Sequence, residues 1–150
     1  MGSPSQALQL DPPFAEYYFI DLAKKNLDIL RRRAVELAEG RIAAERIHCY
    51  NADCNEVLLT DVFPRVRFED YRRALCLLDP FGLDLDWKVI AAAARMKSVE
   101  IFLNFPIHDI NRNVLPRNRT LAHTSQIARL TKRWGDESWT EVAYSSAGNL

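Results

Sequence analysis

The chain has 150 residues, of which 48% are hydrophobic and 27% charged, the size and composition of one globular domain with a buried core. Its 20 basic and 20 acidic side chains give a formal net charge of zero, which excludes a global electrostatic attraction to nucleic acid. No apolar run reaches the roughly 20 residues of a membrane helix, and no signal-peptide pattern is present, so we expect a cytoplasmic protein without a membrane partner.

Strand-like and helical patterns alternate along the chain. The apolar runs of strand length are residues 17–20, 46–50, 74–78 and 99–105. The helical patterns are Ser3 to Leu10, 23–39 ended by Gly40, a short helix after Asn55, 87–96 capped by Asp86, and about Thr120 to Trp134. This alternation predicts a three-layer, Rossmann-like α/β fold with about four mainly parallel strands in one domain.

The three cysteines do not form a recognisable site pattern. Cys49, Cys54 and Cys76 are odd in number and scattered, which favours buried reduced thiols over disulfides. The three histidines are dispersed as well, so the sequence predicts no metal site.

Acidic residues follow the first three predicted strands, at the edge where open α/β sheets bind ligands. Asp21 suits hydrogen bonds to ribose hydroxyls, and Asp53 suits contact with an adenine amino group. With the adjacent Cys54, they are the predicted cofactor-binding residues. The alternative is structural, because Asp also forms turns and caps helices after strands.

Asp79 is followed by Pro80, Phe81 and Gly82, and these residues carry the most specific pattern. Proline fixes the turn and disfavours helix at the preceding residue, so Asp79 is expected to point into the ligand crevice. The turn is similar to the Asp/Asn-Pro-Pro-aromatic turn of methyltransferases that modify amino nitrogens. That resemblance implies catalytic roles for Asp79, Pro80 and Phe81, although here the aromatic is third and glycine fourth.

Residues 107–134 contain six basic side chains and the single acid Asp109. The basic residues are Arg112, Arg117, Arg119, Arg129, Lys132 and Arg133. This local excess predicts contacts with a nucleic-acid phosphate backbone. A solvated helix face with a loop is the equally weighted alternative.

A glycine-rich turn after a first strand is missing from the sequence. The five glycines are all isolated, at positions 2, 40, 82, 135 and 148. Nucleotide-binding α/β domains use such a turn to bring backbone close to the ligand at a helix N-terminus.

A series of short segments in order resembles the three-Cys-motif partner protein family of bacteria and phage. They are Gly2-Ser3-Pro4, Phe19-Ile20-Asp21, Asp53 to Val57, Leu78 to Leu83, Trp87, Phe102 to Pro106 and Asn111-Arg112-Asn113. The match runs over roughly residues 2 to 140. The cysteines of the family name belong to a presumed partner protein, so those of this chain are unrelated to it.

The resemblance implies a fragment of an S-adenosylmethionine-dependent methyltransferase-like domain, truncated at both ends. The missing first strand, with its glycine loop, would lie between the strands that end at Asp21 and Asp79. We therefore expect the cofactor to bind the complete domain, with an amino group of a nucleic acid as the implied target, and not this chain alone. The other hypothesis is a non-catalytic nucleic-acid-binding or assembly module. Candidate partners are nucleic acid, a three-Cys-motif partner protein and further copies of the chain.

Overall fold

The computed structural model describes residues 2–38, 40–79, 83–116 and 122–145. The chain divides into two compact units, Met1–Val62 and Phe63–Leu150. Each unit contains helices and one two-stranded parallel sheet in the part of the chain that the structure describes. We describe each unit by itself.

The first unit combines helices with a pair of parallel strands. Its elements are α1 (Ser3–Leu8), β1 (Tyr17–Ile20), α2 (Lys24–Ala38), β2 (Ile47–Tyr50) and α3 (Cys54–Val57), which continues into a π-helical turn, Leu58–Val62. Tyr17 pairs with Ile47, and the register holds to Ile20 and Tyr50. The core consists of Leu8, Tyr17, Ala34, Ala38 and Ile42. Ala34 and Ala38 lie on the buried side of α2, which contacts α1 and β2.

The second unit contains the other strand pair, and four α-helices lie among its described residues. Its elements are two 3₁₀ turns (Phe63–Arg65 and Phe68–Asp70), β3 (Ala74–Leu78), α4 (Trp87–Met96), β4 (Val99–Leu103), α5 (Ile107–Asn113), α6 (Thr124–Trp134) and α7 (Trp139–Ser145). Ala74 pairs with Val99 in parallel, and the register holds to Leu78 and Leu103. A core cluster of Leu83, Ile110, Val114, Leu130 and Trp139 joins the helices that follow β4.

All four predicted strands are present, and both strand pairs are parallel, as predicted. β4 ends at Leu103 because its partner β3 ends at Leu78, whose carbonyl accepts the last ladder bond from the N–H of Asn104 at 2.8 Å. The described strands form two separate two-stranded sheets, so the mixed α/β class is shown. A single three-layer Rossmann-like sheet stays a prediction.

The helix predictions are correct for the longer elements and incomplete for the shorter ones. α2 and α4 match the predicted spans to within a residue, whereas α1 ends at Leu8 rather than Leu10. The described part of the last predicted helix begins at Thr124, and Thr120 lies outside the described residues. The short helices α5 and α7 were not predicted.

Gly135 ends α6 in a conformation that excludes other residues. Its φ is +109°, and its N–H donates to the carbonyl of Thr131 at 2.8 Å. A Cβ at this position would lie 2.6 Å from Cδ1 of Trp87, well inside van der Waals contact. Glycine therefore permits both the positive φ and the close approach of the Trp87 indole.

We expect Gly135→Ala to lower the free energy of unfolding by about 2 kcal/mol or more, from backbone strain plus overlap with Trp87. Gly40→Ala is the matched control, because Gly40 also has a positive φ, +73°, but no atom lies within 4 Å of its Cβ position. That control should cost only about 1 kcal/mol. Urea unfolding measures both changes. An equal cost of Gly135→Ala in wild-type and Trp87→Ala backgrounds would refute the contact.

Candidate functional site

In the first unit, polar side chains meet where the two parallel strands end. Asp21 follows β1 and Asn51 follows β2, and the N–H of Asp21 donates to the carbonyl of Tyr50 at 3.1 Å. The Asn51 amide donates to the carbonyls of Asp21 at 3.0 Å and Leu22 at 2.8 Å. Asn51 therefore ties the two strand ends together beyond the ladder.

The Asp21 carboxylate makes local hydrogen bonds that shape the turn into α2. Oδ1 accepts from the N–H of Ala23 at 2.7 Å, and Oδ2 accepts from the Asn26 amide at 2.9 Å. These bonds give Asp21 the turn-forming role that its sequence position allowed as the alternative. An ionised carboxylate offers about four acceptor positions, so the two local bonds leave capacity for a ligand hydroxyl.

Asp53 is the N-cap residue of α3. Its Oδ1 accepts from the backbone N–H of Asn55 at 2.8 Å and from the Asn55 amide at 3.0 Å. Cys54 is the first residue of the same helix, and its half-buried thiol is not part of a disulfide. The helix-capping role of Asp53 is thus present, while the predicted cofactor contacts of Asp21, Asp53 and Cys54 stay predictions.

In the second unit, Asp79 and Asn104 form the corresponding pair at the ends of β3 and β4. The Asn104 amide donates to Asp79 Oδ1 at 2.7 Å, and both side chains are exposed. The hydrogen bond engages one of the two carboxylate oxygens of Asp79, and an ionised carboxylate has further acceptor positions. Pro80 and Phe81, the other predicted catalytic residues, lie outside the described residues.

Arg133 of α6 is buried behind this pair, with only 5% of its surface exposed. Its guanidinium donates to the carbonyl of Asn104 at 3.4 Å, and its Cζ lies 5.4 Å from the centre of the Phe105 ring. Burial lowers the pKa of Arg133 from its ordinary value, and the charge of Asp84 partly offsets this effect. Arg133 therefore supports the residues that follow β4, a role that the sequence analysis did not anticipate.

The other basic residues of segment 107–134 differ in their surroundings. Arg129 pairs with Asp84 at 2.5 Å, and Lys132 pairs with Asp86 at 2.8 Å. Arg112 on α5 is exposed, and no ion pair joins it to another described residue. Arg117 and Arg119 lie outside the described residues. Asp84 and Asp86 thus offset part of the positive charge counted in the sequence window, and the nucleic-acid contacts stay a prediction.

Asp86 is the buried one of these two acids, with 6% of its surface exposed. It occupies the N-cap position of α4, as predicted, but its side chain makes no capping hydrogen bond. Instead it pairs with Lys132 at 2.8 Å and Lys88 at 3.3 Å. These two lysines compensate the charge that burial makes costly.

Metal-binding clusters and membrane-spanning helices are both absent from the described ranges 2–38, 40–79, 83–116 and 122–145. Within them, no group of three or more His, Cys, Asp or Glu side chains could hold a metal ion. No helix in that part of the chain is long and apolar enough to cross a membrane.

Comparisons with protein-family models, with curated proteins and with solved structures returned no match. The family resemblance and the functional roles that follow from it therefore stay predictions from the sequence segments.

We expect Lys132→Met to lower the free energy of unfolding by about 1 kcal/mol or slightly more, because the buried Asp86 then loses the closer of the two lysines that pair with it. Lys24→Met is the matched control, since Lys24 pairs with Asp28 at the surface, and it should cost less than about 0.5 kcal/mol. Denaturant unfolding of both variants makes the comparison. Equal costs would show that Lys132 does not compensate Asp86.

Proposed function

We propose that the chain is part of an S-adenosylmethionine-dependent methyltransferase-like domain that acts on an amino group of a planar base. The observation that carries the proposal is the hydrogen bond between Asn104 and Asp79 at the carboxyl ends of adjacent parallel strands. This edge of a parallel sheet is the usual location of ligand sites in α/β proteins.

Asp79 is suited to orient an amino group. Its Oδ1 is held by Asn104, so its remaining lone pairs can accept an N–H of the target. An accepted hydrogen bond turns the nitrogen lone pair toward the methyl donor, and this positioning is the contribution that we assign to Asp79. When bound in the complete domain, S-adenosylmethionine supplies an electrophilic methyl group. The methyl group would leave the sulfonium sulfur, which becomes a neutral thioether, and the methylated nitrogen would release its extra proton to solvent.

The residues of the first unit fit only the adenosine end of this cofactor. Asp21 and Asp53 provide carboxylates after β1 and β2, where ribose hydroxyls and an adenine amino group can donate. The methionine end requires a close backbone approach at a glycine turn, and the glycines of this sequence are all isolated. The proposal therefore places cofactor binding in a complete domain and not in this chain alone.

The amino-group site predicts a difference between cytidine and uridine, which carry an amino group and a carbonyl at the same ring position. Millimolar cytidine should shift the NMR resonances of the Asn104 side-chain amide, and uridine should not, because only cytidine carries an exocyclic amino group that can donate to Asp79. Asp79→Ala should abolish the shift. Asp109→Ala, which removes another exposed acid of the same unit, should preserve it. Equal shifts with both nucleosides would refute an amino-specific site.

The chain alone should bind S-adenosylmethionine only at millimolar concentration or more weakly, and it should transfer no methyl group. Loss of several contacts costs several kcal/mol, at about 1.4 kcal/mol for each tenfold in affinity. Isothermal titration of the 150-residue chain is the measurement. A low micromolar dissociation constant would contradict the fragment interpretation. With a strand and glycine loop fused ahead of Gly2, Asp21→Ala should weaken binding, whereas Asp79→Ala should spare binding and stop turnover.

A further inference from the structure

One face of the β3–β4 sheet is apolar except for a single acid. Side chains alternate across a strand, and the register pairs Leu75 with Glu100 and Leu77 with Phe102. We call this four-residue surface the Leu77 face. It lies along the strands, whereas the proposed amino-group site lies at their ends.

The opposite face of the same sheet is the more buried one. Cys76, Leu78, Val99 and Ile101 all lie on it, and each is buried or half-buried. Helix α4 packs against β4, with Val89 and Ala93 as its buried residues. The burial pattern therefore assigns α4 to this opposite face.

The Leu77 face is open to solvent. Leu75, Leu77 and Phe102 are 44%, 53% and 58% exposed. Parallel strands are normally covered on both faces, because their crossover connections place helices there. Three neighbouring large apolar side chains on a parallel sheet thus form a surface that a further element is expected to cover.

We propose that the Leu77 face docks an amphipathic helix of a partner chain, and that this helix carries a lysine or arginine within its apolar stripe. A helix is the element that covers parallel sheets elsewhere. The basic residue follows from Glu100, which lies beside Leu75 on the face and would otherwise be covered by apolar groups without a partner.

A second copy of the chain suits this surface less well. The face is only two strands wide, and neighbouring strands lie about 5 Å apart. Symmetric packing of two copies through it would bring the two Glu100 carboxylates close together, and like charges in an interface oppose association. The charge on the face therefore favours a partner that differs from the chain itself.

The probe is a pair of designed amphipathic helical peptides of about 18 residues. They are identical except for one residue in the middle of the apolar stripe, which is lysine in one peptide and glutamate in the other. Fluorescence anisotropy should show the lysine peptide binding at least about tenfold more tightly. Glu100→Lys should reverse this preference. The chain has no net charge, so a general electrostatic attraction does not explain such a reversal.

Leu77→Ser should weaken binding of the lysine peptide by about tenfold or more, because it removes the centre of the apolar contact. Tyr71→Ser is the matched control: Tyr71 is an aromatic residue of the same unit outside the face, 92% exposed, and its loss should leave binding unchanged. Circular dichroism checks that both variants fold.

Equal affinity for the two peptides, or binding that ignores Leu77→Ser, would overturn the proposal. Sedimentation that shows a dimer lost on Leu77→Ser would also overturn it, since a second copy would then be the occupant. The cytidine titration is done on the chain without peptide, so failure of peptide binding leaves its result, and with it the proposed amino-group site, to be judged separately.

Discussion

Parallel pairing of short strands is the constraint on which the rest of this structure depends. Two parallel neighbours cannot be joined by a tight turn, so each pair needs a crossover helix, which is α2 for β1 and β2 and α4 for β3 and β4. The same pairing brings both carboxyl ends of a pair to one edge. Asp21 then lies beside Asn51, and Asp79 lies beside Asn104. Pairing thus creates the two polar edges that the proposed functions use.

The strands could be located from the sequence because each is a compact apolar run bounded by acids, asparagine or proline. Their pairing could not, because periodicity states which face a residue occupies and not which strand lies beside it. α5 and α7 are only seven residues each, too short for a clear helical period. Their buried residues, such as Ile110 and Trp139, contribute to a core formed with α6. These helices are therefore stabilised by tertiary packing, and the helix propensity of a sequence does not reveal such packing.

The charged residues of the candidate site show the same limit of sequence analysis, because the sequence does not reveal which side chains lie side by side. Segment 107–134 contains an excess of basic residues in the sequence. Asp84 and Asp86 lie more than twenty residues before this segment, yet they pair with Arg129 and Lys132 and offset part of its charge. Asp21 and Asp53 were located correctly at strand ends, and both make turn or capping bonds with residues that follow within five positions. Such bonds orient the carboxylates without using all of their acceptor positions.

The Leu77 face and the polar edge of the second unit lie on the same two strands. Leu77 and Phe102 each stand two residues before the edge residues Asp79 and Asn104. An isolated pair of strands has little stability of its own, and a ligand that binds only the ordered pair stabilises it by mass action. A helix on the Leu77 face and a base at Asp79 would both bind the ordered pair. Linkage then requires each to raise the affinity of the other by the same factor. The alternation of side chains along β3 and β4 would thus couple a partner surface to a ligand edge.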